Sequence, residues 1–171
     1  AQEPRNLSNP AEWAAGYMRE RGRRNILQSL FLTPEVLEKH NQKLEAKWHV
    51  IEQNETACEK YLTDDAEVII AAFGTVGRIA RSVVEAMRAE GFRVGLIRPL
   101  AVSPFPLRDF AGLPACRHIL DVEMNWGQML KDVKLATESR IPVSFYGRSG
   151  GMCPGVPEIE DECRKIFAAL G

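Results

Sequence analysis

Long hydrophobic runs are missing from this sequence. The longest uninterrupted one, Val68–Phe73, falls far short of the ~20 residues needed to cross a bilayer, which excludes a membrane-spanning helix as the reading of any stretch. Charge of one sign is missing too: 22 Lys+Arg against 23 Asp+Glu leave a net charge of -1, so neither nucleic acid nor an anionic membrane surface is an expected partner. Cysteines are few and scattered. Cys58, Cys116, Cys153 and Cys163 form no Cys-x-x-Cys pair, which removes zinc-ribbon and iron–sulfur readings, and their irregular spacing favours reduced thiols in a cytoplasmic setting over a disulfide framework. His40, His49 and His118 show no metal spacing with a carboxylate, so no metal site is expected. The opening AQEPRNLSNP lacks the apolar core of a secretory leader.

What is present is material for a packed core. With 45% apolar and 26% charged residues, 171 residues make one large domain or a domain with an appendage. Texture changes along the chain. Residues 1–63 are polar and helix-prone, with no strand pattern, and are read as a helical lead-in segment. From residue 64 to 171, short β-branched runs alternate with amphipathic stretches.

In the lead-in, Trp13, Tyr17 and Met18 suit a short helix, followed by an arginine cluster at Arg19, Arg21, Arg23 and Arg24 that reads as a solvated or locally paired run. Thr33-Pro34-Glu35 is a helix-start signal, Thr capping free amides and Pro fitting the first turn. A long helix is expected from there to about Leu62. Its stripe of Leu37, Leu44, Trp48, Ile51, Cys58 and Leu62 should lie on another surface, more often within the same chain.

Beyond residue 64 the expected order is strand Glu67–Phe73, helix Thr75–Glu90, strand Phe92–Ile97, short helix Leu107–Leu113, strand Arg117–Glu123, helix Trp126–Thr137, strand Val143–Tyr146 and a closing helix Pro157–Leu170. Strands joined by helical crossovers predict an α/β fold: a three-layer Rossmann-like sandwich with a mainly parallel sheet.

In such sheets binding groups gather beyond the carboxyl ends of the strands. The first loop there, with Gly74, Thr75 and Gly77, opens a helix whose free amides suit an anion. It lacks the second glycine of a dinucleotide fingerprint, since Val76 stands in that place, and no acid ends the second strand to hold a ribose. The second loop contains Arg98, Pro99 and Phe105 among several prolines, a rigid spacer with a guanidinium fork and an aromatic ring. The third, Glu123-Met124-Asn125-Trp126-Gly127-Gln128, is the most distinctive: Asn125 suits a helix N-cap, Gly127 permits close backbone approach, and Glu123 has no His or Lys nearby in sequence to complete a catalytic pair. The fourth offers Arg148, Gly150 and Gly151 as a further anion candidate, then Cys153, and Pro157 with Glu158 opening the last helix.

Four pieces in fixed order, Val68–Arg78, Gly95–Leu100 with Pro104-Phe105-Pro106, Glu123–Gln128, and Arg148–Gly151 before a helix, carry a resemblance over about 100 of the 171 residues. The segment Ala66–Phe167 resembles the carboxyl-terminal domain of the α subunit of 2-oxoacid:ferredoxin oxidoreductases, of the branched-chain (2-oxoisovalerate) and 2-oxoglutarate types. That module is similar to the last domain of transketolase. The sequence departs from the family at Met152–Ile159, where relatives carry an apolar stretch and Thr-Pro-Glu-Glu.

The resemblance implies that the complete complex oxidatively decarboxylates a 2-oxo acid to an acyl-coenzyme A and passes electrons to ferredoxin. Such chemistry needs thiamine diphosphate with magnesium and iron–sulfur clusters. No Gly-Asp-Gly run and no clustered cysteines are present, so this chain alone is expected to bind no cofactor, to hold no catalytic residue and to be inactive in isolation. It reads as an amino-terminally truncated piece or one polypeptide of a split complex. Its partners would be the other subunits, with ferredoxin and coenzyme A engaged through the complex. Interface or positioning candidates are Arg98, Pro99, Phe105, Glu123, Asn125, Gly127 and Gln128. Two rival readings remain open: a nucleotide- or coenzyme A-binding module using Gly74–Gly77 and Arg148–Gly151, and a homodimerisation domain built on the stripe around Trp48.

Overall fold

A computed structural model describes residues 9–26 and 28–171; residues 1–8, which begin the opening stretch read as no secretory leader, and Leu27 lie outside it. The chain divides into two compact units, Ala1–Ala46 and Lys47–Gly171.

The first unit contains α1 (Pro10–Trp13), α2 (Met18–Arg21) and the start of α3 (Pro34–Asn54). Its arginine cluster is partly spoken for: the Arg21 guanidinium donates to the carbonyls of Ala11, Ala14 and Gly16, closing the turn between the two short helices. That is the local pairing expected of the run. Two expectations for α3 fail. The helix ends at Asn54 instead of Leu62, and it buries no residue fully, leaving Leu37, Leu44 and Trp48 exposed. Of the expected stripe, Cys58 instead packs from the next strand against the sheet core.

The second unit is a five-stranded sheet in the order β1-β3-β2-β4-β5. Its elements are β1 (Cys58–Tyr61), β2 (Val68–Ala71), α4 (Gly74–Ala89), β3 (Val94–Pro99), α5 (Leu107–Ala111), β4 (His118–Glu123), α6 (Met129–Ala136), β5 (Val143–Gly147) and α7 (Val156–Leu170). β2, β3, β4 and β5 pair in parallel, while β1 lies antiparallel on β3 with Cys58 opposite Pro99. The expectation that residues 1–63 hold no strand is thus corrected. Cys58 and Leu62 continue the helical spacing of the upstream stripe only by coincidence; physically, Glu59 and Lys60 make β1 a charged strand on the rim of a sheet, where charge discourages pairing with other chains.

Two apolar layers sandwich the sheet. On one face Ile70, Leu96, Leu120 and Val122 meet Ala80, Val83 and Met87 of α4 and Ile159 and Cys163 of α7. On the other, Ile69, Ala71, Ile97 and Ile119 meet Phe110 of α5 and Met129 and Val133 of α6. The alternation of faces along each strand follows from the two-residue repeat of extended chain. The near-continuous apolar runs of β2 and β3 follow from burial on both faces. Each Ile, Leu or Val hidden in this way contributes about 1.5–3 kcal/mol over leaving it in water. This is the three-layer α/β architecture the sequence predicts.

Topology places the site. From β2 the chain goes through α4 to β3 on one side, and from β3 it returns through α5 to β4 on the other side of β2. Connections therefore diverge between β2 and β4, and the loops after these strands flank the crevice where open α/β sheets bind.

Candidate functional site: the turn after the fourth strand

Because the four strands run parallel, all four predicted loops leave the same edge of the sheet. They differ in what the structure has already done with their polar groups.

After β2, Gly74 adopts a left-handed φ of +57° and, with Thr75, is exposed at the start of α4. Gly77 is buried. A Cβ there would lie 2.9–3.0 Å from the side chain of Arg98, so the glycine lets the arginine stem cross the first turn of α4. Arg98 in turn pairs with Glu59 of the unanticipated β1, at 3.1 Å. Pro99 is buried in β3, opposite Cys58. Phe105 stacks on Phe110, with ring centroids 5.1 Å apart, and forms part of the wall of an open cleft of about 520 Å³ that also takes in Trp48, Pro106 and Leu135.

After β5, Arg148 forms an ion pair with Glu158 in the first turn of α7, whose other oxygen accepts the Gly155 amide at 2.7 Å. Gly150 and Gly151 are exposed with left-handed φ. The groups offered for an anion are therefore divided: Gly77 and Arg148 are engaged within the fold, whereas Gly74, Thr75, Gly150 and Gly151 stay open.

The loop after β4 is the organised one. Glu123 ends the strand with no solvent exposure, and its carboxylate gathers three donors: the Asn125 side-chain amide at 2.8 Å, the Met129 amide at 3.0 Å and the Leu130 amide at 3.1 Å. The last two are among the unpaired N–H groups that open α6, so an acid from the sheet caps the helix from below, where its negative charge also meets the positive end of the helix. Asn125 is not the N-cap of α6. Its Oδ1 accepts from Gly127 at 2.8 Å and Gln128 at 3.0 Å in a tight turn ahead of the helix. The left-handed φ of +84° at Gly127 then delays the start of α6 to Met129, three residues later than the sequence predicts. Gly147, absent from the sequence candidates, completes the turn: a Cβ on it would stand 2.6 Å from the Asn125 carbonyl oxygen and 2.4 Å from the Phe145 ring.

Fastened in this way, the turn holds Trp126 outward, 82% exposed, beside exposed Met124 and Gln128. Asp121, two residues before Glu123 on the same face, was also missed. Its signal was an acid inside the apolar run His118–Glu123, at a position the two-residue repeat turns inward.

The donors for a metal or cluster do not come together. Among the described residues no three His, Cys, Asp or Glu side chains are grouped to hold a metal ion. Burial pushes the Cys58 and Cys163 thiols up to about 12 and Cys116 to about 11, away from the thiolate form a cluster needs. His118, its pKa lowered by burial, meets Ser144 at 3.0 Å. The described residues do not fit iron–sulfur or magnesium–diphosphate binding. Among the described residues no helix is long and apolar enough to cross a membrane.

The stretch from just before β2 to the opening of α7, residues 66–159, matches the sequence profile of the pyruvate:ferredoxin oxidoreductase core domain II. The chain belongs to this family. As a core domain II chain, it is 42% identical over 151 residues to the ketoisovalerate oxidoreductase subunit VorB of Methanothermobacter thermautotrophicus, a match covering 86% of this chain and 41% of that protein. It spans about two fifths of the length of the curated relatives it matches. The chain folds like part of a solved 2-oxoglutarate:ferredoxin oxidoreductase from Magnetococcus marinus with 2-oxoglutarate, coenzyme A and succinyl-CoA bound; the TM-score is 0.69 at 21% identity, over 80% of this chain and 24% of that one. A split-gene transketolase, solved as an inactive beta4 tetramer, shares the fold with a TM-score of 0.54 at 15% identity, over 64% and 40% of the two chains. The transketolase-like α/β fold and the oxidoreductase-domain reading both stand.

Proposed function

We propose that this chain serves as the docking and positioning domain of a 2-oxoacid:ferredoxin oxidoreductase α subunit of the ketoisovalerate or 2-oxoglutarate type. The complete complex would cleave a 2-oxo acid oxidatively to carbon dioxide and an acyl-coenzyme A, passing the electrons to ferredoxin. Thiamine diphosphate, magnesium and iron–sulfur clusters would be held by other domains and subunits, and when bound they supply the electron sink and the electron relay. What this chain contributes is placement, and misplacing a neighbouring reactive group by about 1 Å can cost about 100-fold in rate.

The observation that supports this reading is the Glu123–Gln128 turn. A tryptophan held outward on a turn anchored by a buried carboxylate loses little freedom on docking, and such aromatic anchors carry much of the energy of protein interfaces. Arg98, Pro99 and Phe105 would shape the neighbouring part of the same edge. The alternative of a nucleotide or coenzyme A module is less supported, because two of its proposed contacts, Gly77 and Arg148, are engaged with Arg98 and Glu158. Self-association through α3 is favoured by the exposed stripe of Leu37, Leu44 and Trp48.

Sedimentation of the chain with the remaining subunits of its complex tests the docking assignment. Trp126→Ala is expected to weaken association about 30-fold, the effect of losing ~2 kcal/mol at an interface hot spot, with an unchanged unfolding curve. Unaltered association would remove Trp126 as the anchor. Sedimentation of the chain by itself reports any dimer formed through α3.

A further inference from the structure

Ile119, Asp121 and Glu123 alternate along β4 and face the α5–α6 layer, so Asp121 puts a carboxyl among Ile69, Ala71, Met129 and Val133. Asp121 has no solvent exposure, and neither of its oxygens meets a hydrogen-bond donor among the described residues. Its ladder neighbours are Ala71 of β2 and Phe145 of β5, whose side chains can donate nothing. α5 turns Phe110 inward while its Asp109 pairs with Lys60, and from α6 the charge felt at Asp121 is that of Lys134, whose side chain is exposed.

The ionisable group next to Asp121 on the same buried face of β4 is Glu123, two residues on, and its carboxylate reinforces the upward push of burial on the Asp121 carboxyl. Both are acceptors when ionised, so a contact can form only with a proton between them, and two ionised carboxylates this deep repel. Glu123 already receives three N–H donors and Asp121 none, which decides which of them keeps the charge.

We propose that Asp121 and Glu123 form a one-proton carboxyl pair, Asp121 carrying the proton and donating it to Glu123, and that losing this proton loosens the Glu123–Gln128 turn from the start of α6. The balance is simple: one proton leaves the pair for solvent, and a second negative charge appears beside the first. The turn carrying Trp126 would then be set by protonation. That last link to docking rests on the interface reading above; the pair itself does not.

Carboxyl-carbon NMR on the full chain, labelled at Asp and Glu and titrated from pH 4 to 10, tests the pair without any partner subunit. The Asp121 signal should keep the position of a protonated acid through neutral pH and move with a midpoint near 9. Hydrogen-exchange protection of the Met129 and Leu130 amides should fall over that range, and should not fall in Asp121→Asn, whose amide cannot lose the proton. Titration of Asp121 near 4, or an equal loss of protection in the variant, would overturn the proposal. The wild-type titration decides the pair's protonation even if the variant fails to fold. A failed pair with intact Trp126-dependent docking, or the reverse, separates this inference from the functional reading.

Discussion

Glu123→Ala is expected to lower the unfolding free energy by about 3–5 kcal/mol, because three N–H donors are left without their charged acceptor. The reason lies in what remains behind. The Met129 amide loses its acceptor in a buried site, and the half-buried Leu130 amide and Asn125 side chain lose theirs as well; an orphaned buried donor costs about 1–3 kcal/mol. Glu123→Gln should recover only part of the loss, because its amide would turn N–H groups toward the N–H groups of α6. Urea denaturation of both variants against wild type measures this. A shift below about 1 kcal/mol for the alanine variant would mean that α6 starts without help from the sheet.

The second large effect is one of pH. Burial, reinforced by Glu123, pushes the Asp121 carboxyl up to about 9. In the unfolded chain an aspartate titrates at about 3.9. The folded state therefore holds this proton more tightly, so stability from Asp121 is fully present below about pH 4 and is lost progressively as pH rises toward 9. Asp121→Asn keeps a donor for Glu123 and removes the titration. Going from pH 5 to pH 8 the variant should gain on the wild type by something on the order of 4 kcal/mol, at about 1.4 kcal/mol per pH unit. Denaturation curves taken in parallel across this range cancel the contributions of every other group, and parallel pH profiles would contradict the assignment.

Much of the fold was legible because its patterns are strong. β2 and β3 are short β-branched runs bounded by turns, and α4 sets Ala80, Val83 and Met87 on one face, so their existence and order followed from periodicity. β1 was not legible. A four-residue strand with two charges has no period of its own, and the preceding helix supplied a misleading one across Cys58 and Leu62. The candidate turn was found from its unusual composition, but its wiring was not. An Asn before a helix reads as a cap, and nothing local shows that a glutamate from the strand below will take the helix amides first. Gly147 escaped notice because the contact it permits, with the Asn125 carbonyl, depends on β4 and β5 being neighbours in the sheet.

The engaged groups also narrow the chemistry. Glu123 is buried and committed to three donors, so it acts on the turn and has no free oxygen to offer a substrate. Arg148 and Arg98 are paired within the fold. An edge whose Arg98 and Arg148 are ion-paired within the fold and whose tryptophan points outward fits a surface that meets other protein.

The most direct measurement is turnover: 2-oxo-acid-dependent formation of acyl-coenzyme A with reduction of ferredoxin, assayed for this chain supplied with thiamine diphosphate and magnesium, first alone and then with the remaining subunits. No turnover alone and turnover in the assembly, reduced by Trp126→Ala, is the expected result. Sustained turnover by the chain without partners would contradict the positioning role.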